Sequence, residues 1–329
     1  MNIKDINITT FNDTINKDNI IKYFNEYCFL SDDNFYLVNV DKIKESKIIN
    51  EHTNGVTCII LLSDGRLASS SKDKTIKIYN INNSYHCDMT LEGHTNSIYY
   101  ICEIKTNKIV SCSQDLSIRI WSINESSYTC EHCIFQSHSY LPKQLIPLSE
   151  GRIASSSIDK FIKIWSMTPP YKLLKSLKGH SDTVNAMIQL KGENILVSGA
   201  LDLIIWDLET YKCNRVINDI DCKSLLELSN NTIIVGGCGA ITVLSKKTYE
   251  IIKKITCNDI TYLISLIQLR DSKILCGSEE GDLCICDIEK KTMHIKDMAH
   301  NKSILGILCI NNNQFISCSE DCTIKVWNY

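Results

Sequence analysis

The stretch HSYLPKQLIPLSEGRIASSSIDKFIKIWS, residues 138–166, decides how this chain is read. From His138 it places Ser155 17 residues on, Asp159 21 on and Trp165 27 on. Two short β-rich runs, Ile153 to Ser157 and Phe161 to Trp165, flank the polar turn Ile158-Asp159-Lys160, the pattern of a hairpin at close spacing. The same countdown starts at His52 (Ser69, Asp73, Tyr79), at His94 (Ser111, Asp115, Trp121) and at His300 (Ser317, Asp321, Trp327). A fifth set, His180, Ser198, Asp202 and Trp206, keeps the order with one-residue slips. All 4 tryptophans of the chain stand at the last place of a set.

The histidines recur at 42, 44 and 42 residues from His52 to His180, and the 120 residues on to His300 equal three periods. Two repeats that have lost the histidine therefore lie between them. A period of about 40 residues, with Gly-His or a relative at one end and Trp-Asp or a relative at the other, resembles the WD40 repeat family. The resemblance runs from Ser46 to Tyr329, although only Trp206-Asp207 is a literal Trp-Asp; the others read Tyr79-Asn80, Trp121-Ser122, Trp165-Ser166 and Trp327-Asn328. It implies an all-β propeller of four-stranded antiparallel blades.

The residues also carry a physical reading of their own. An indole buried between blades needs an acceptor for its N–H, which a serine on the neighbouring strand supplies while passing its own proton toward histidine. The other ring nitrogen of that histidine then faces the turn aspartate, and the four are expected to close on themselves. Each bond nets about 1 kcal/mol, whereas an orphaned buried member costs roughly 1 to 3 kcal/mol, so the four tend to be kept or lost together. The two degenerate repeats follow that rule: Cys276, Glu280 and Cys286 fill the serine, aspartate and tryptophan places of the sixth, with Asp259 for histidine, and Val235 and Leu244 replace serine and tryptophan in the fifth. A hydrolase triad is the rival reading of His, Ser and Asp. Five copies of it are implausible, and the repeat explains them all.

A chain of 329 residues exceeds a typical single domain, but blades sum neighbour contacts into one unit. Net charge is -3 with both signs interspersed and no Lys/Arg run longer than a pair, which argues against a nucleic-acid partner. No stretch approaches 18 apolar residues and the first residues have no apolar signal core, so no membrane association is expected. The 17 cysteines then read as reduced thiols in the cytoplasm or nucleus, the cytoplasm first, with Cys112, Cys276 and Cys318 as small apolar side chains in strands. Cys130-Glu131-His132-Cys133 has zinc-like spacing without a second pair, and Cys284-Ile285-Cys286 alternates across a strand; neither is expected to hold a metal. Gly236-Gly237-Cys238-Gly239 lacks the spacing of a phosphate loop and reads as a tight turn. No catalytic motif and no cofactor site emerges.

Two domains are expected: residues 1–45, an N-terminal extension or degenerate extra blade, and residues 46–329, the propeller. Seven blades are expected ahead of eight, with Ser46 to Asn50 as the strand that closes the last blade. The eight-blade alternative uses Ile6 to Thr10 as closing strand and Tyr27 to Ser31 with Phe35 to Val40 as a hairpin; a third reading makes Asn19 to Tyr27 a short helix.

Function is expected to reside on surfaces, since the fold hosts many roles. The family resemblance implies a non-catalytic scaffold that holds other proteins in a multiprotein complex. The alternative is the substrate-recognition subunit of a ubiquitin ligase, against which stand the missing Leu-Pro start of an F-box and the departure of Trp206-Asp207-Leu208-Glu209 from Trp-Asp-x-Arg. A G-protein β-like role would need heptads before His52, and none are sustained. Residues preceding the turn acids, Lys72, Gln114, Ile158, Leu201, Glu279 and Glu320, are expected on the top rim. Ile158 and Leu201, joined by Tyr140 and Leu141, form an apolar sector, and Asp219, Asp221, Asp259, Glu280 and Asp282 an acidic one. The candidate partner-binding residues are thus Tyr140, Leu141, Ile158, Leu201, Glu279 and Glu320.

Overall fold

The computed structural model describes residues 43–256, 259–269 and 273–329. The readings placed on the first 42 residues lie outside the described part. The described chain folds into seven four-stranded antiparallel sheets. The first blade runs from the inner strand Val56–Leu61 to the outer strand His86–Leu91, and the second from Ile98–Lys105 to Tyr128–Ile134. The third runs from Pro142–Leu148 to Leu173–Lys178, the fourth from Ala186–Gln189 to Lys212–Ile217, the fifth from Ser224–Glu227 to Ile251–Thr256 and the sixth from Leu263–Gln268 to Thr292–Lys296.

The seventh blade is built from both ends of the described chain. Its inner strands are Ile304–Asn311, Gln314–Ser319 and Ile324–Asn328, and its outer strand is Lys44–Ile49, antiparallel to the last, with Ile49 opposite Ile324. Each inner strand packs on the next, the seventh back onto the first, so the sheets form a closed ring: a seven-bladed β-propeller. A bonded closure of this kind removes the edge that an open sheet would leave at Ile324–Asn328.

The strands form where the sequence supplies β-branched and small residues in short runs between polar turns. Leu67–Ser71 is buried along its whole length, because a middle strand is covered on both faces by neighbouring blades. The core is a set of inter-blade layers. Cys58, Ile76 and Ile78 of blade one pack with Ile98, Ile109 and Trp121 of blade two, and equivalent clusters join each following pair as far as blades five and six. Val56, Leu67 and Tyr79 of blade one pack with Ile49, Ile316, Ile324 and Val326 of blade seven.

Candidate functional site

Five blades hold a polar chain in this layer. Trp121, Trp165, Trp206 and Trp327 donate their indole N–H to Ser111, Ser155, Ser198 and Ser317 at 2.8, 2.8, 2.8 and 2.7 Å. The serine oxygens lie 2.6 to 2.7 Å from Nε2 of His94, His138, His180 and His300. In the first blade Ser69 Oγ is 2.7 Å from His52 Nε2 and 3.1 Å from the hydroxyl of Tyr79, which replaces the indole. Nδ1 of His52, His94, His138 and His300 meets Asp73, Asp115, Asp159 and Asp321 at 2.7 to 2.9 Å, and Nδ1 of His180 meets Asp202.

The four residues make a linear relay and do not close on themselves. In four of the relays the far end is taken up by backbone: Asp73 accepts from the N–H of Thr53 and Thr75, Asp115 from those of Thr95 and Ser117, Asp159 from those of Ser139 and Phe161, and Asp321 from those of Asn301 and Thr323. A carboxylate is acceptor-only, so it ends the chain by tying the loop after the histidine to the hairpin turn that carries the aspartate. Burial pushes the carboxyls of Asp73, Asp115 and Asp321 up, but the hydrogen bonds from histidine, hydroxyl and backbone N–H outweigh it and hold them well below the usual range. Burial in turn pushes His94, His138 and His180 below the ordinary imidazole value despite the facing aspartates. These histidines are neutral linkers in a packed layer.

The Gly-His dipeptide has a packing cause here. A Cβ on Gly93 would come within 3.0 Å of the Trp121 ring, and one on Gly179 within 2.9 Å of the Trp206 ring. In the degenerate blades apolar groups take the place of the relay: Leu244 packs with Ile205 and Val197 of blade four, and Cys286 lies in the layer with Ile241 and Val243 of blade five. Glu280 still reaches the N–H of Thr261 at 3.1 Å, as the shorter turn aspartates reach their loops elsewhere. Buried thiols are held protonated; burial raises Cys58 to about 12. Cys130 and Cys133 sit on the outer strand Tyr128–Ile134, where Glu131 pairs with Lys108 at 2.7 Å and His132 stacks on Tyr171.

A concave feature among the described residues is the mouth of the central channel, a cavity of about 560 Å³. Of the rim residues named from sequence, Lys72, Glu279 and Glu320 line it, whereas Gln114, Ile158 and Leu201 do not. Tyr140 and Leu201 are exposed to 64% and 52%, while Leu141 and Ile158 are half-buried beside them. Asp219, Asp259 and Glu280 are exposed; Asp221 and Asp282 are half-buried.

Sequence reasoning missed the ring of side chains that turns into the channel. A β-bulge near the start of several inner strands leaves one residue unpaired there: Thr57, Tyr99, Lys143, Ile264 and Leu305. The extra residue of a bulge re-aims its side chain, and all five line the cavity. A signal existed, because Thr57, Tyr99, Lys143, Asn185 and Leu305 each stand five places after the histidine of their repeat.

The mouth is electrostatically uneven. Lys72 pairs with Glu320 at 2.6 Å, and Lys223 lies 3.4 Å from Asp221 and over the ring of Tyr262. Lys143 has no carboxylate partner among the described residues and sits 5.9 Å from the Tyr99 ring centre. Burial first, then the charges of Lys223 and Lys72, push its amine below the usual lysine value.

Comparison with known proteins agrees with this architecture. The family model described as WD domain, G-beta repeat matches residues 43–80, 85–122 and 291–328. A WD repeat domain-containing protein 83 homolog of Dictyostelium discoideum is 22% identical over 87% of this chain and 98% of its own length. WD repeat-containing protein 41 of Homo sapiens is 24% identical over 60% of this chain and 47% of its length. Nuclear distribution protein nudF 1 of Talaromyces marneffei is 40% identical over 20% of this chain and 15% of its length. Repeats matched at both ends of a seven-bladed ring, five of whose blades hold the same polar relay, support a protein of the WD40-repeat family.

Proposed function

We propose that the protein is a non-catalytic scaffold of the cytoplasm that holds another protein on the face bearing the channel mouth. The observation that carries this reading is Lys143, a cation turned into a cavity lined by two further lysines and three tyrosines, without a carboxylate partner of its own among the described residues. An acidic side chain inserted by a partner would neutralise it, and Tyr140 and Leu201 supply exposed apolar area on the same blades. The histidine, serine and aspartate sets are committed to the inter-blade layer, and the buried thiols are protonated, which leaves them without a nucleophile to offer. Among the described residues no helix is long and apolar enough to cross a membrane.

The test is affinity purification with mass spectrometry on the full chain and on Lys143→Glu. Loss of a stable partner set from a variant that melts as the wild type does supports the reading. An unchanged partner set places the docking face elsewhere, and recovery of a ligase adaptor would move the assignment to a substrate-recognition subunit.

A further inference from the structure

The outer strands of the blades are not equivalent. In six of them a β-bulge leaves one residue without a partner on the neighbouring strand: Asp88 in blade one, Glu131 in blade two, Leu174 in blade three, Asn214 in blade four, Ile252 in blade five and Ser46 in blade seven. The bulge interrupts the alternation of faces, so two consecutive side chains can both point outward. In blades three and five those pairs are aliphatic: Leu173 and Leu174 are 43% and 38% exposed, and Ile251 and Ile252 are 53% and 52% exposed. Between them, on blade four, Val216 is also exposed. The position that blades one and two protect with an acid thus carries an oily side chain in blades three and five.

Charge follows the same division. The outer strands of blades three, four and five carry Lys175 and Lys178, Lys212 and Arg215, Lys253 and Lys254, and no acidic residue. None of the six is ion-paired among the described residues, although Lys72, Lys108, Lys223, Lys246 and Lys325 all are. Arg215 and Lys253 reach only backbone oxygens, of Thr248 and Ile288. Glu209 and Glu250 stand nearby, but in the turns that precede the strands. On a chain whose net charge is -3, three consecutive blades present a basic wall studded with aliphatic groups. Such a patch marks an interaction surface.

From this juxtaposition we propose that the outer wall of blades three to five is a second docking surface, taking an acidic segment of a partner protein that also bears aliphatic side chains. Charge complementarity selects the acidic partner, and Leu173, Leu174, Ile251 and Ile252 select the aliphatic groups between its acids. The segment lies across the side chains instead of adding as a fifth strand, because the bulges blunt each edge for pairing. A flat bilayer meets a curved wall of three blades along a narrow line, whereas a polypeptide follows it round. The proposal stands apart from the reading of the channel mouth.

The experiment measures fluorescence anisotropy of the full-length protein with a labelled synthetic peptide of alternating glutamate and leucine pairs. Beside it run a glutamate-only peptide of equal charge and a flotation assay with phosphatidylcholine–phosphatidylserine vesicles. Leu174→Glu with Ile252→Glu gives blades three and five the acid that Asp88 and Glu131 supply in blades one and two, so the fold should be kept. The mixed peptide should bind saturably, and this double variant should weaken it by about tenfold or more, the loss expected for a central anchor. Lys175→Glu with Lys254→Glu should weaken it too, while Lys143→Glu at the channel mouth should not. Equal binding of the glutamate-only peptide, loss through Lys143→Glu alone, or vesicle binding with the same sensitivity in place of peptide binding would each overturn the proposal.

Discussion

Lys325 Nζ lies 2.8 Å from the carboxylate of Glu45, joining the last strand of the chain to a residue near the start of its described part. The same amine donates to the carbonyl of Ala299 at 2.8 Å. The ion pair is partly exposed and so contributes little by itself. Its meaning is positional, since it marks the seam where Lys44–Ile49 completes the seventh blade.

Removal of residues 1–42 spares this seam and should leave a soluble protein with one cooperative melt. Removal of residues 1–50 strips the closing strand and bares the edge at Ile324–Asn328, so aggregation on heating should follow. Light scattering during a thermal ramp compares the two. Equal behaviour would show that the closing strand is dispensable.

Trp165→Phe keeps most of the apolar area but removes the donor to Ser155 and should cost roughly 1 to 3 kcal/mol. Leu244→Met, at the corresponding place of a blade without a relay, conserves volume and should cost less than about 1.5 kcal/mol. Urea unfolding of both variants gives the comparison, and equal losses would mean that the relay adds nothing to apolar packing.

Acid should unfold the protein in two stages. His94, His138 and His180 have folded values below the ordinary one, so the unfolded chain binds more protons and stability falls as pH drops through about 6.5. Asp73, Asp115 and Asp321 are also depressed, and their contribution, present above about pH 4, is lost as pH falls further toward their folded values. Both slopes have the same sign. Urea midpoints measured across this range should decline first gently and then steeply; a midpoint that is flat from neutrality to about pH 5 would contradict the desolvation of the histidines.

On the channel face, Tyr140→Asp with Leu201→Asp should abolish partner recovery while shifting the melting temperature by only a few degrees, because exposed sites contribute little to folding. Charge reversal at Glu279 and Glu320 should mainly alter the association rate and its salt dependence. Surface plasmon resonance with the recovered partner separates the two effects. Ile158 is half-buried, which makes it a poorer test position than Tyr140.

Much of the fold was legible because the repeat carries its own ruler. His138, Ser155, Asp159 and Trp165 are fixed in spacing by a hairpin of set length, and Cys276 and Cys286 betray a degenerate blade by occupying the same places. The channel site was legible only in part. Lys72, Glu279 and Glu320 follow from the turn acids, but Lys143 and Tyr99 reach the cavity through bulges; their five-residue offset from the histidine marks the position in the sequence, and only pairing one strand with its neighbour shows that the side chain turns into the channel.

The sequence by itself determined the blades, their order and which of them carry the polar relay, since these depend on local hairpins and on short-range hydrogen bonds between residues of one repeat. Only the tertiary structure decided that the ring has seven members, because closure pairs Ile49 with Ile324 across almost the whole chain. It alone also gathered Lys143, Lys72 and Lys223 at one mouth and set Leu174 and Ile252 on one outer wall. Residues of different repeats meet through the common axis of the propeller, and no spacing along the chain encodes that axis.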